Sequence, residues 1–247
     1  MTELIRGLYN IKPTHKSGVV TIGNFDGVHL GHKSLIENVK MRSKALLAPA
    51  TVITFEPQPL EYFNHEKGVA RLTRWREKFY ALADTGIDNV LVLRFNRKLA
   101  DLRAEAFIKR ILVDDLAIEH IIVGDDFRFG KKREGDFHFL QQAGERYGFT
   151  VENMPSVNIE GERVSSTRIR QALAAGNHEL AERLLGRPYS MMGRVVHGDK
   201  LGRQLGFPTA NIYLHRPVTP VQGIYVVRMH GIEKRWIARR SKCWYTS

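Results

Sequence analysis

Short apolar runs dense in β-branched residues punctuate the chain at 19–23, 50–55, 89–95 and 119–123, with a fifth near 149–153. Between them lie stretches of helical spacing at about 31–46, 73–85, 101–115 and 136–147; in the first, Leu35, Ile36, Val39 and Leu46 fall on roughly one face. Near-continuous apolar strands alternating with amphipathic helices predict an α/β fold, a doubly wound parallel sheet covered on both faces. Ligands of such sheets bind beyond the carboxyl ends of the strands, where the strand order reverses. Two short helices are expected at about 166–175 and 178–185, with Gly176 and Gly186 as their stops. After Arg187 and Pro188 the texture changes. Short β-like runs at 192–196 and 223–228 stand between Gly- and Pro-rich turns, which predicts an antiparallel barrel or sandwich and places a domain boundary near 186.

The first strand–helix junction carries the most chemistry. It reads Gly-Asn-Phe-Asp-Gly-Val-His-Leu-Gly-His over 23–32, and so puts His29 and His32 at the start of a helix. Glycine permits a tight turn and a close approach to a ligand. A helix N-terminus offers unpaired N–H groups and partial positive charge to phosphate. The same letters also spell a Gly-rich turn with two surface histidines; the strand before and the helix after favour the phosphate reading.

Four further clusters stand out. Glu56 and Pro57 close the second strand, in a Phe-Glu-Pro-Gln-Pro run that is otherwise a rigid turn. The 124–130 loop mixes Asp125, Asp126, Phe127 and Arg128 at the end of the fourth strand, where a flat heterocycle and its phosphate could sit. Ser165, Ser166 and Thr167 open a later helix. Hydroxyls cap helices in any protein, but Arg168 and Arg170 in the first turn oppose the helix dipole, and a bound anion would offset that cost. The last cluster, Gly-Phe-Pro-Thr-Ala-Asn over 206–211, is on its own no more than a turn.

Composition narrows the class. Among 247 residues no apolar run approaches the roughly 20 needed to span a bilayer. The N-terminal Met-Thr-Glu-Leu-Ile-Arg lacks the apolar core of a secretory signal, so the expected compartment is the cytoplasm and no membrane partner is expected. One cysteine, Cys243, excludes an internal disulfide and a cysteine-based zinc site. The net charge of +12 favours anionic partners. Between Arg228 and Ser247 six Lys and Arg residues face one acid, Glu233, so the remainder is only mildly basic and suits a nucleotide enzyme as well as a nucleic-acid binder.

Taken in order and at their spacing, the motifs at 23–32, 55–59, 72–78, 124–130, 165–170 and 198–211 resemble the bacterial bifunctional riboflavin kinase/FMN adenylyltransferase (FAD synthetase) family, from about Leu4 to Arg228. The resemblance implies a nucleotidylyltransferase-type module over 1–186 and a β-barrel kinase module from 187. It implies ATP and FMN as substrates, FAD as product, and Mg²⁺. Carried over residue by residue, His29, His32 and Arg170 correspond to the catalytic group at the ATP phosphates. Gly23, Asn24, Phe25, Asp26, Gly31, Ser165, Ser166 and Thr167 correspond to the ATP site. Glu56, Pro57, Asp125, Asp126, Phe127 and Arg128 correspond to the flavin side, and Thr209 and Asn211 to the kinase's metal and phosphate site.

After Gly231 the resemblance stops, and residues 232–247, with two of the three tryptophans and the only cysteine, read as a divergent tail. The expectation is therefore an incomplete antiparallel β-barrel over 187–247, without kinase activity, mobile and dispensable for adenylyl transfer. Two rival readings remain at this level. One is another nucleotidylyltransferase of the same superfamily; the other is a basic nucleic-acid-binding protein. The second lacks aromatic platforms interleaved with basic residues on its predicted strands, so no specific nucleic acid is expected.

Overall fold

In the computed structural model, which describes residues 1–64, 69–198, 206, 209–231 and the backbone of 237–239, the apolar runs become one six-stranded sheet. Its strands are β1 (Glu3–Arg6), β2 (Val19–Ile22), β3 (Ala50–Glu56), β4 (Asn89–Arg94), β5 (His120–Gly124) and β6 (Thr150–Met154). Every neighbouring pair is parallel, in the order β1-β4-β3-β2-β5-β6. From β2 the chain builds outward through β3 and β4, then returns past β2 to add β5 and β6 on the other side. The reversal lies between β2 and β5. There β2 registers with β5 only through Val19–His120 and Val20–Ile121, against four pairs with β3, so the two strands part towards their carboxyl ends.

The expected elements recur with small shifts, and the sheet gains one edge strand. β1 escaped the periodicity because it is four residues long and buries only Ile5 fully. The helices are α1 (Leu30–Leu46), α2 (Pro59–Phe63), α3 (Trp75–Ala83), α4 (Arg97–Ala100), α5 (Ala104–Phe107), α6 (Phe137–Tyr147), α7 (Ser166–Ala174) and α8 (His178–Leu185). The single helix expected at 101–115 is instead α5 running into a π-helical stretch, Ile108–Asp115.

Alternation along the strands assigns the two faces. Val19, Val52, Val90 and Ile122 pack with Leu35, Ile36 and Val39 of α1 and Leu82 of α3. Val20, Ile53, Leu91 and Ile121 pack on the opposite side with Phe107, Ile111 and Leu140. A third cluster joins α7 and α8 through Leu173, Leu184 and Leu185 to Leu72 and Val164.

Three antiparallel pairs complete the described residues: β7 (Asn158–Ile159) with β8 (Glu162–Arg163), β9 (Arg194–Val196) with β10 (Asn211–Tyr213), and β11 (Val227–Met229) with β12 (Ile237–Arg239). β9 and β11 fall on the β-runs expected at 192–196 and 223–228. Asp199, Phe207, Pro208 and most of the divergent tail, Glu233 and Cys243 included, lie outside the described residues. Among the described residues no helix is long and apolar enough to cross a membrane.

The described residues beyond 186 make buried polar contacts with the first 186. Arg216 forms an ion pair with Glu77 of α3 in which both side chains are almost fully buried, at 2% and 7% exposure. Arg216 Nη1 also donates to Arg71 O at 2.9 Å, Tyr189 OH donates to Leu72 O at 3.3 Å, and the Met192 N–H donates to Glu77 Oε1 at 2.6 Å. Polar groups of the described residues beyond 186 are thus buried against α3 and the segment before it.

Candidate active site

A cleft of about 680 Å³ opens at the carboxyl ends of β2 and β5, where the strand order reverses. The turn after β2 forms one wall, with Gly23, Asn24, Phe25, Asp26, His29, Gly31 and His32. The loop after β5 forms another, with Asp125, Asp126, Phe127 and Arg128, and Ser165 and Ser166 reach the cleft from the start of α7.

His29 is the N-cap of α1; its Nδ1 accepts from the His32 N–H at 3.4 Å. The two imidazoles stack with centroids 3.6 Å apart and planes 16° from parallel. Phe25 packs against His32 at 5.0 Å. A Cβ on Gly31 would lie 3.3 Å from the His29 ring, so glycine leaves room for the stack. Burial pushes His29 down to about 4 and His32 well below the usual histidine range, His29 adding to the effect on His32. Both rings are therefore neutral at pH 7. With Nδ1 of His29 accepting, its proton sits on Nε2 and is available to an acceptor. Among the described residues the Nδ1 of His32 is buried without a hydrogen-bond partner, an unmet polar group at a cleft wall.

Asp26 lines the cleft but spends its carboxylate on the protein. It accepts from the N–H of Leu72 at 3.1 Å, the N–H of Thr73 at 2.9 Å, Thr73 Oγ1 at 3.1 Å and Arg170 Nη2 at 2.6 Å. Ser166 Oγ donates to Asp26 O at 2.8 Å, tying the start of α7 to the turn. The expected catalytic Arg170 is thus not brought to the cleft: its Nη2 faces Asp26 and its Nε donates to Ala70 O at 2.7 Å. Arg168 is turned away as well, donating to Ile159 O and Glu162 O and pairing with Glu160 and Glu162. The dipole cost of two cations in one first turn is met by carbonyls and carboxylates of the protein, where the sequence argument had placed an anion. Ser165 caps α7 through the Arg168 N–H, and Thr167 is exposed outside the cleft lining.

On the flavin side the structure divides the expected residues. Asp126 pairs with Arg163 at 2.8 Å, Asp125 accepts from Ser156 Oγ at 2.9 Å, and Arg128 lies 3.4 Å from Asp136. Phe127 stacks on Phe129 at 5.4 Å. Glu56 and Pro57 are outside the lining, and Glu56 is held by Arg71 Nη2 at 2.8 Å. The wall near them is built instead by Phe55, Leu60, Phe63 and Phe95. Periodicity could not single these out, because an aromatic at a strand end has the same spacing whether it fills a core or faces a ligand. Arg163, which lines the cleft, was also missed. Outside the lining, Lys78 is fully buried, its Nζ has no hydrogen-bond partner among the described residues, and burial pushes it down to about 8 against the pull of Asp26 and Glu56. Thr209 and Asn211 lie away from this cleft, exposed on and before β10.

A family model for FAD synthetase matches residues 11–168, and one for riboflavin kinase matches 185–242. A bifunctional riboflavin kinase/FMN adenylyltransferase from Pseudomonas fluorescens is 50% identical over 234 residues, covering 95% of this chain and 75% of the relative. The chain belongs to the bifunctional riboflavin kinase/FMN adenylyltransferase family. A Haemophilus influenzae family member is 48% identical over 227 residues, covering 92% of this chain and 74% of its own length. A solved structure of a macrolide-efflux protein from Streptococcus pneumoniae shares the fold, with TM-score 0.76 and 31% identity over 92% of this chain and 74% of that one. The riboflavin kinase match continues to 242, past the end near 231 that the motifs alone had set.

Proposed function

We propose that this family member transfers AMP from ATP to FMN, giving FAD and pyrophosphate, in the cleft between β2 and β5. The observation that carries the reading is the pair of stacked, neutral histidines at the N-terminus of α1, facing the aromatic 124–130 loop across one cavity. A phosphate oxygen of FMN attacks the α-phosphorus of ATP; the new P–O bond forms as the bond to the β-phosphate oxygen breaks, and pyrophosphate leaves. The second pKa of a phosphate monoester is about 6, so the nucleophile is already ionised at pH 7 and needs no general base. The protein has to align two polyanions and stabilise charge on the leaving group. His29 and His32 donate to the phosphates, and Ser165 and Ser166 bring the second helix start to the cleft. Asp26 and Arg170 act through the backbone they hold rather than by contact. Mg²⁺, when bound, would be carried by ATP and would neutralise charge on its phosphates. The carboxylates at the cleft suit that division, since Asp26 and Asp126 are already engaged by protein donors.

Residues 1–186 form the adenylyltransferase domain in this reading, and residues from 187 the riboflavin kinase module, acting on small-molecule nucleotides in the cytoplasm. Thr209 and Asn211 are exposed, whereas phosphoryl transfer depends on rigid positioning in dry surroundings. On this reading riboflavin phosphorylation is not expected of this chain. Purified protein with FMN, MgATP and a pyrophosphate assay should form FAD, and riboflavin with MgATP should give no FMN. No FAD from folded protein, together with salt-sensitive RNA binding, would replace the reading with the nucleic-acid one. FMN made from riboflavin would restore the second activity.

A further inference from the structure

The joint between the two modules is built onto the turn that presents His29. α8 ends at Leu185, and the next two residues reach straight back to the start of α1. Arg187 Nη2 donates to Gly27 O at 2.8 Å and Nη1 to Val28 O at 3.2 Å, while Lys33 Nζ donates to Gly186 O at 3.4 Å. Gly27 and Val28 are the two residues before His29, and both are left-handed, with φ of 86° and 43°. For a β-branched residue such as Val28 that conformation is a genuine outlier, which persists only where surrounding contacts over-determine it. The arginine fork takes both carbonyls at once and fixes the plane of each peptide. Its far side is anchored too, because Tyr189, two residues on, donates to Leu72 O, and Leu72 in turn holds Asp26.

We infer that Arg187, at the head of the second module, is a positioning residue for adenylyl transfer: by gripping the carbonyls of Gly27 and Val28 it sets the His29 ring at the phosphate site. The inference rests on the adenylyl-transfer reading of the cleft. It adds that the second module shapes the first one's chemistry through a backbone contact. A misplacement of about 1 Å in a catalytic group can cost on the order of 10²-fold in rate. The FMN-facing loop at 124–130 is not part of this grip, so flavin affinity should be spared.

The test uses the full chain with Arg187→Ala and Arg187→Lys. The alanine variant should lose at least ~10-fold in kcat with KM for FMN within about twofold of the parent, and the lysine variant, a single donor in place of the fork, should recover only part of it. A second readout needs no turnover. The charges acting on His29 are Asp26, Arg163, Arg187, Arg170 and, towards its stacked partner His32, Lys78. In ¹⁵N-edited NMR of the ligand-free protein, the His29 ring should titrate higher in Arg187→Ala than in the parent, with altered ring shifts, and Arg187→Lys should lie close to the parent. Unchanged kcat beside unchanged His29 shifts would overturn the inference. So would equal losses in kcat and FMN affinity that lysine fails to recover, which mark general loosening. A parent that forms no FAD defeats the adenylyl-transfer reading, and the NMR arm then decides by itself whether Arg187 positions His29.

Discussion

Two valine pairs mark the difference between the halves of this molecule. Val19 and Val20 in β2 are 0% and 1% exposed, whereas Val195 and Val196 in β9 are 58% and 40% exposed. Both pairs take extended backbone, as β-branched side chains favour. Only the first is covered, because α1 lies on one face of the sheet and α5 and α6 on the other. The second half is anchored through polar groups sunk into the first, above all Arg216 on Glu77. Strand formation is thus local, while burial is granted by whatever packs on the strand.

The most severe way to break the contrast is to remove that anchor. Arg216→Met leaves the buried Glu77 carboxylate without its guanidinium and should cost about 3–5 kcal/mol in chemical denaturation. Pairing it with Glu77→Met should return most of the loss. If the single variant unfolds like the parent, the second half does not lean on the first.

The next test asks whether chemistry belongs to the first half alone. His32→Ala should lower kcat by ~10²–10³-fold while ATP binding changes far less, because the ring meets charge that grows in the transition state. Equal turnover in both proteins would leave His32 a packing residue of the turn.

A smaller effect concerns pH. His29 titrates at about 4 in the folded chain, against an ordinary 6.5. Between those values the unfolded chain binds more protons, so stability is complete above about 6.5, declines as the pH falls, and levels off below about 4. The full difference is of order 3 kcal/mol. It should shrink in His29→Gln, as followed by denaturant midpoints across pH 4–7. Parallel curves for the two proteins would remove His29 as the source.

The mildest test returns to the valines. Val20→Ala should cost about 2 kcal/mol and Val195→Ala no more than about 0.5. Similar values for both would erase the contrast.

Most of the fold was legible. The runs at 19–23, 50–55, 89–95 and 119–123 are strands because their apolar content is continuous, which only a sheet covered on two sides accommodates. β1 was not legible, since four edge residues with one buried side chain carry no period. In the site, the glycines and histidines of 23–32 stood out because few other uses need those residue types at that spacing. Arg170 was assigned to a ligand on its charge in a first helical turn and on the family resemblance, and Glu56 on the resemblance alone. The side chains that claim them, Asp26 and Arg71, are 144 and 15 residues away along the chain.

The sequence by itself determined the strand–helix alternation, the place of the His-x-Gly-His turn at a strand end, and the change of texture near residue 186. Those follow from periodicity, backbone permissiveness and turn chemistry, all of which act over a few residues. Only the tertiary structure decided that the histidines stack and lose their charge, that Asp26 is consumed by Leu72, Thr73 and Arg170, and that Arg187 reaches the turn before His29 while Arg216 reaches Glu77 of α3. The physical reason is that desolvation and the choice of a partner for a buried charge depend on which distant segments arrive at the same place, and no local pattern encodes that meeting.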